Sequence, residues 1–296
     1  MATPSPRLDT FLRFNIHQAK QLAYIDVWAG AAWAVARLLF LFPGRDRLAA
    51  NAALVLAPLA VSLWGVTCPR TYTRVRALPA MLCRAGTVWF PARRSILQPL
   101  LLRPGVEHAA PGVLAALRLL LWASGSVPVL VASLLYPLPL CMMLPLQLGL
   151  VGGVWQRGHD ICATPTAAHA RLRGWAAAGA AAVHPVTWML GVPHPAVPLP
   201  VDPCTALVHL SQVLLAGLLP AFIVAFLECR RFNGWASAVV ATSYLPAPLV
   251  MSFYSGLHSF CMACVSSWRG GVIALDCVAA CWLVICFLQR AAAVGG

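Results

Sequence analysis

Apolar residues in this chain come in long runs, not in the alternating patterns of half-buried helices or strands. The first run, "LAYIDVWAGAAWAVARLLFLFP" at 22–43, is followed closely by "AANAALVLAPLAVSLWGV" at 49–66. A helix needs about 20 mostly apolar residues to cross a hydrocarbon layer about 30 Å thick. Both runs approach that length, and the short "PGRDR" link between them predicts a helical hairpin. A second pair lies at 113–135 and 138–155, where Pro137 and Pro139 make the break a turn. The run at 174–192 is the weakest, being Ala-rich and interrupted by His184 and Pro185. Stronger runs follow at 205–227 and 271–288. The stretch 235–268 is about 50 Å long as one helix, too long for one crossing. Pro246 and Pro248 divide it and leave a span near 247–268.

These segments predict an all-α fold, a polytopic transmembrane bundle of about eight spans, with seven as the alternative if 174–192 does not cross. The organisation that follows is an amphipathic segment at 1–21, a transmembrane hairpin at 22–66 and a basic loop at 67–112. A second hairpin at 113–155, a second basic loop at 156–173 and a C-terminal transmembrane region at 174–290 complete it. In the first segment Ser5 caps a helix with Pro6 at its first position. Leu8, Phe11, Leu12, Ile16 and Ala19 then share one face, opposite Arg13, His17 and Lys20. Such a helix suits the headgroup plane, and a lightly ordered tail is the plainer alternative. The first apolar run is followed by "FPGRDR" and not by a small-residue cleavage site, so no cleavable leader is expected.

Composition sharpens the class. The chain is 60% hydrophobic and 10% charged, with a mean hydropathy of +0.79. Soluble domains run nearer 45–50% apolar and about 25% charged. No stretch outside the apolar runs is long enough to bury a core of its own. The formal charge of +13 comes almost wholly from arginine. Cytoplasmic loops collect Lys and Arg. The eight-span threading with both termini cytoplasmic puts 16 basic residues on one side and 3 on the other. Dropping 174–192 changes that split to 14 against 5.

The loop 67–112 carries Arg70, Arg74, Arg76, Arg84, Arg93, Arg94 and Arg103 against Glu107 alone. Tethered between two spans, it suits an anionic inner leaflet, where each charge contributes about 1 kcal/mol. Nucleic acid is not an expected partner. A topology signal without a ligand is the plainer reading of the same loop. Small residues such as Gly149 and Gly153, or Gly30 with Ala34, offer surfaces for helix packing or for a second copy of the chain.

Charges inside spans are functional candidates by default. Asp26 and Arg37 lie in the first span, about 16 Å apart along the axis. Arg118 lies in the third. Asp276 lies in the last, one face and two turns from Arg269, which makes a structural Arg–Asp pair or an ion site the two readings. Glu228 beside Arg230 and Arg231 reads as an interfacial salt-bridged cluster. Among the eleven cysteines, Cys68 precedes "PR" and Cys229 precedes "RR", settings that suit S-acylation as well as plain thiols. Cys261 and Cys264 form a C-x-x-C, with Cys277 expected level with Cys261 across a C-terminal hairpin and Cys204 on the same outer side. That set resembles the chemistry of membrane thiol oxidoreductases, and close packing of small soft residues is its plain alternative. The depths of these thiols do not suit one metal ion, so no metal and no cofactor are expected.

H-E-x-x-H, Walker, G-x-S-x-G and G-x-G-x-x-G motifs are absent from the sequence. The leading reading is a multi-pass membrane protein of structural or interaction type, not clearly an enzyme. Its basic cytoplasmic face would contact anionic lipid, in the plasma membrane or an organelle membrane. A transporter or channel for a small solute or ion is the first alternative, with Asp276, His209, Ser211 and Gln212 as its polar path. A thiol oxidoreductase using Cys261 and Cys264 is the second.

Overall fold

The structure, a computed structural model, describes residues 6–41, 48–89, 113–192, 198–240 and 247–295. All regular structure among these residues is helical. Three helices are long and apolar enough to cross a membrane: Pro203–Val240, Pro248–Ser266 and Trp268–Val294.

The chain divides into two compact units. The first comprises Met1–Ala92, Val131–Leu146 and Pro220–Val265. Its helix α1 (Pro6–Leu41) runs without a break through the segment expected to lie apart at 1–21. Helix α2 (Leu48–Thr67) packs back along α1. Gly30 permits that approach, because a Cβ there would stand 2.1 Å from Ser62 Oγ and 2.6 Å from the Pro58 carbonyl. Gly149 of the expected G-x-x-x-G has nothing within 4 Å of such a Cβ. Pro69 starts α3 (Pro69–Val75) after a short break at Cys68, and α4 (Ala77–Trp89) follows. Ala23, Val61, Tyr72, Ala80, Tyr136, Leu138, Met143 and Val224 form one core of this unit. Phe14, Phe232, Trp235 and Tyr254 form a second, and Phe232 stacks on Tyr254 at 4.1 Å between ring centres.

The second unit comprises Arg93–Leu130, Gln147–Leu219 and Ser266–Gly296. Helix α5 (Val113–Leu117) continues as a π-helical turn, Arg118–Ala123, and ends at Gly125, whose φ is 84°. Helices α6 (Ser126–Leu135) and α7 (Leu140–Trp155) follow. Short helices α8 (Gly158–Cys162) and α9 (Pro165–Ala168) lead into α10 (Ala170–Val183), extended by a 3-10 segment, His184–Leu190. Helix α11 (Pro203–Ser211) passes through a second π-helical stretch, Gln212–Leu218, into α12 (Leu219–Val240). Helices α12 and α13 (Pro248–Ser266) belong to the first unit, and α14 (Trp268–Gly295), of the second, ends the chain. Ala180, Ala206, Leu210, Trp282, Ile285 and Cys286 are the core where α10, α11 and α14 meet.

Many large apolar side chains face outward, Leu148 at 75% and Trp28 at 62% exposure, whereas Asp26, Arg76, Arg84 and Glu228 are buried charges. Arg70, Arg74, Arg230 and Arg269 are exposed. Large apolar side chains facing outward fit a hydrocarbon surround.

Two contacts correct the alternating threading expected from sequence. The Leu140 N–H donates to Glu228 Oε2 at 2.8 Å, although the eight-span reading puts these residues on opposite faces. Cys162 and Cys204 are disulfide-bonded with their Cα atoms 6.0 Å apart, although that reading separates them too. Neither bond can bridge a layer about 30 Å thick. Both contacts fit the seven-span alternative, in which 174–192 does not cross, whereas the Arg84 to Ser133 hydrogen bond fits neither threading. The N-terminal amphipathic face also differs from expectation. Leu12 and Ile16 point outward, while Thr10, Phe14, Gln18 and Leu22 are the buried face.

Candidate functional site

The first unit buries an ion pair. The Tyr72 hydroxyl donates to Asp26 Oδ2 at 2.6 Å, and Arg76 Nη2 donates to Oδ1 at 2.8 Å. Arg76 Nε lies 2.6 Å from Oδ2. The local cause is the Cys68–Pro69 break, which turns the chain so that positions 72 and 76, one helical turn apart, face α1. Asp26 is thus held by α3 and is not solvated at an interface. Arg84, two turns further on, donates from Nη2 to Ser133 Oγ at 3.0 Å. Burial lowers the Arg84 guanidinium to about 10 and pushes the Cys83 thiol up to about 11. Burial, reinforced by the Asp26 carboxylate, raises the Tyr72 phenol.

These positions correct part of the expected lipid-facing set. Arg76 and Arg84 are buried, so they do not meet headgroups; Arg70 and Arg74 are exposed. Arg93 and Arg94 lie outside the described residues. Arg37 and Arg118 lie on helices, but their side chains are outside the described set.

A second buried carboxylate, Glu228, accepts from the Tyr254 hydroxyl at 2.6 Å and from the Leu140 N–H at 2.8 Å. In place of the expected interfacial salt bridges to Arg230 or Arg231, its hydrogen bonds come from these neutral donors. Phe14 closes the adjoining aromatic wall, 5.0 Å from Phe232 and 5.6 Å from Tyr254.

The second unit buries a network with no formal charge. The two π-helical stretches border it, and such stretches displace backbone groups from the ordinary ladder. Gln212 Nε2 donates to the Ser124 and Val154 carbonyls, both at 2.9 Å. Ser211 Oγ lies 2.8 Å from the Val208 carbonyl and 3.2 Å from that of Leu120. Ser126 Oγ links Ser211 Oγ at 3.1 Å to Ser124 Oγ at 2.8 Å. Gln212 Oε1 is buried without a partner, which costs about 1–3 kcal/mol for an isolated acceptor. His209 stacks on Trp155 at 3.7 Å, and its Nε2 donates to the Trp155 carbonyl at 3.2 Å. His184 accepts from Trp282 Nε1 at 3.4 Å. Ser211 and Gln212 of the polar path expected from sequence thus meet; His209 bonds elsewhere, and Asp276 is not among the residues of this network.

The expected redox set is altered at Cys204. Cys204 is bonded to Cys162, while Cys261, Cys264 and Cys277 are free thiols. Cys261 and Cys264 belong to the first unit and Cys277 to the second. Of the two acylation candidates, Cys68 is exposed, whereas Cys229 is buried in the aromatic core. Arg269 is exposed, Asp276 is half-buried, and no ion pair joins them.

Sequence reasoning missed Tyr72, Tyr254, Ser124, Ser126 and the Cys162 partner. The 72/76 spacing was the one available signal, since it sets a phenol and a guanidinium on one helix face. Comparison of the chain with protein-family profiles, with curated proteins and with solved structures gave no match.

Proposed function

We propose that the protein is a multi-pass integral membrane protein of structural or interaction type, with a basic face, centred on α3, that contacts anionic lipid. The observation that carries this reading is the apolar surface: large apolar side chains such as Leu148 and Trp28 face outward, while the carboxylates of Asp26 and Glu228 are buried and hydrogen-bonded. Exposed Arg70 and Arg74 on α3 supply the headgroup contact, beside Trp64 at the end of α2.

Within the first unit, the threading that agrees with the contacts puts 6–21, 67–89, the 136–140 turn, 228–240 and Ala247 on one face. Support comes from Phe14 against Phe232, Arg84 to Ser133, Leu140 to Glu228, and the Ala247 N–H donating to Thr10 Oγ1 at 3.1 Å. Within the second unit the disulfide ties Cys162 to Cys204, and the Asp202 N–H donates to Gln289 Oε1 at 3.4 Å. A disulfide persists in an oxidising compartment, so these two cysteines open to one.

Two measurements test the reading. Trp64 emission from purified protein should be quenched by brominated phosphatidylserine more than by brominated phosphatidylcholine, and Arg70→Ala with Arg74→Ala should remove the preference. Equal quenching by both lipids in the parent protein would end the lipid-contact reading. In sealed vesicles an impermeant maleimide should label Cys162 and Cys204 from a single face, and only after reduction. Labelling of the pair without reductant, or from opposite faces, would sink the threading. A transporter is the second reading, favoured by the buried polar network between two π-helical stretches.

A further inference from the structure

The amide of Gln212 has a fixed orientation. Both of its N–H groups meet carbonyl oxygens, those of Ser124 and Val154, so exchanging O and N would set oxygen against oxygen. Its Oε1 is therefore an acceptor, fully buried and unpartnered. A hydroxyl chain, Ser124–Ser126–Ser211, lies within the same unit, with spacings of 2.8 and 3.1 Å. Each hydroxyl oxygen keeps lone-pair capacity after donating its single proton. The backbone on either side is π-helical, Arg118–Ala123 and Gln212–Leu218, and Gly125 at φ 84° separates the first from α6. Irregular helix backbone at membrane depth survives where it is buried in protein or lines a cavity, and unwound segments with oxygen donors are where transporters hold monovalent ions.

The ligand must match a bare acceptor among oxygens. It is electron-poor and small. The network holds no carboxylate, which disfavours a divalent ion, since Ca²⁺ and Mg²⁺ sites draw on carboxylates. We infer that Gln212 Oε1, with the hydroxyl oxygens of Ser126 and Ser211, forms a binding site for a small monovalent cation of the sodium class. Binding is the claim, and it does not depend on the cation being carried across.

The test uses the full chain, purified in detergent or nanodiscs. Its thermal midpoint is followed in sodium chloride, potassium chloride and choline chloride at equal ionic strength. Sodium should raise the midpoint by about 3 °C over choline, saturably. Gln212→Leu should abolish the sodium-specific rise. Ser211→Ala, which leaves the amide in place, should raise the sodium concentration for half the rise at least fivefold. Three results would overturn the site: the same midpoint in all three salts, meaning the oxygen holds water only; a sodium response that survives Gln212→Leu; or a half-point unchanged in Ser211→Ala. If Gln212→Leu does not fold, Ser211→Ala decides alone. Sodium flux into proteoliposomes separates the readings: binding without flux keeps the site and removes the transporter reading.

Discussion

The two units meet the same difficulty, polar groups away from water, in different ways. The first buries formal charge: Asp26, Arg76, Arg84 and Glu228. The second buries Ser124, Ser126, Gln147, His184, His209, Ser211 and Gln212, all neutral or able to be, and adds a disulfide. Charge pairs interact strongly in a low dielectric, but each member depends on the other. Neutral networks lose less when one member goes, and they can leave a lone acceptor such as Gln212 Oε1 without unfolding. The first unit should therefore fail abruptly under substitution and the second by degrees.

The largest effect should come from Asp26→Ala, which strands Arg76 in the interior. A loss of about 3–5 kcal/mol is expected, seen as disappearance of the monodisperse species on size-exclusion chromatography. Replacing both partners, Asp26→Leu with Arg76→Met, should recover most of it. Parent-like stability of the single variant would remove the contrast between the units. Next is Cys162→Ser, which opens a loop with a sequence separation of 42 residues. A loss of about 2–4 kcal/mol is expected, and dithiothreitol should bring the parent to the same midpoint. Reductant without effect would count against the staple.

Gly30→Ala follows, at about 1–3 kcal/mol, because Ser62 Oγ and the Pro58 carbonyl occupy the space a methyl needs. Gly149→Ala is its control and should stabilise by up to about 1 kcal/mol through helix propensity. If the two variants behaved alike, the close α1–α2 approach would be in doubt. Ser126→Ala should cost about 1–2 kcal/mol, for the two hydrogen bonds its hydroxyl makes. Asp276→Asn should be smallest, within about 0.5 kcal/mol, since no ion pair joins Asp276 to Arg269.

Helicity and membrane residence were legible in the sequence because length and hydropathy of a run answer to one physical constraint, the thickness of hydrocarbon. The Pro137–Pro139 turn and the weakness of 174–192 were legible for similar reasons. Pairing was not. Asp26 and Arg37 share one face of α1 by spacing, yet the partner of Asp26 is Arg76, brought by the fold of α3. The Arg-rich loop looked uniform, but burial divides it: Arg70 and Arg74 face out, Arg76 and Arg84 face in. Side assignment by arginine counting assumes every apolar run crosses, and that assumption fails where Cys162 meets Cys204. The serine network escaped notice because single serines are unremarkable until a helix break sets three of them together.

The Asp26 pair also has a consequence in time. Its hydrogen-bond donors, Tyr72 and Arg76, are 46 and 50 residues downstream. Chains grow at roughly 5–20 residues per second, so for roughly 2–10 s the first helix exists while its carboxylate has no counter-charge. If α1 and α2 enter a bilayer as the proposed threading has it, α1 either waits at the surface until α3, which does not itself span, has emerged, or enters protonated.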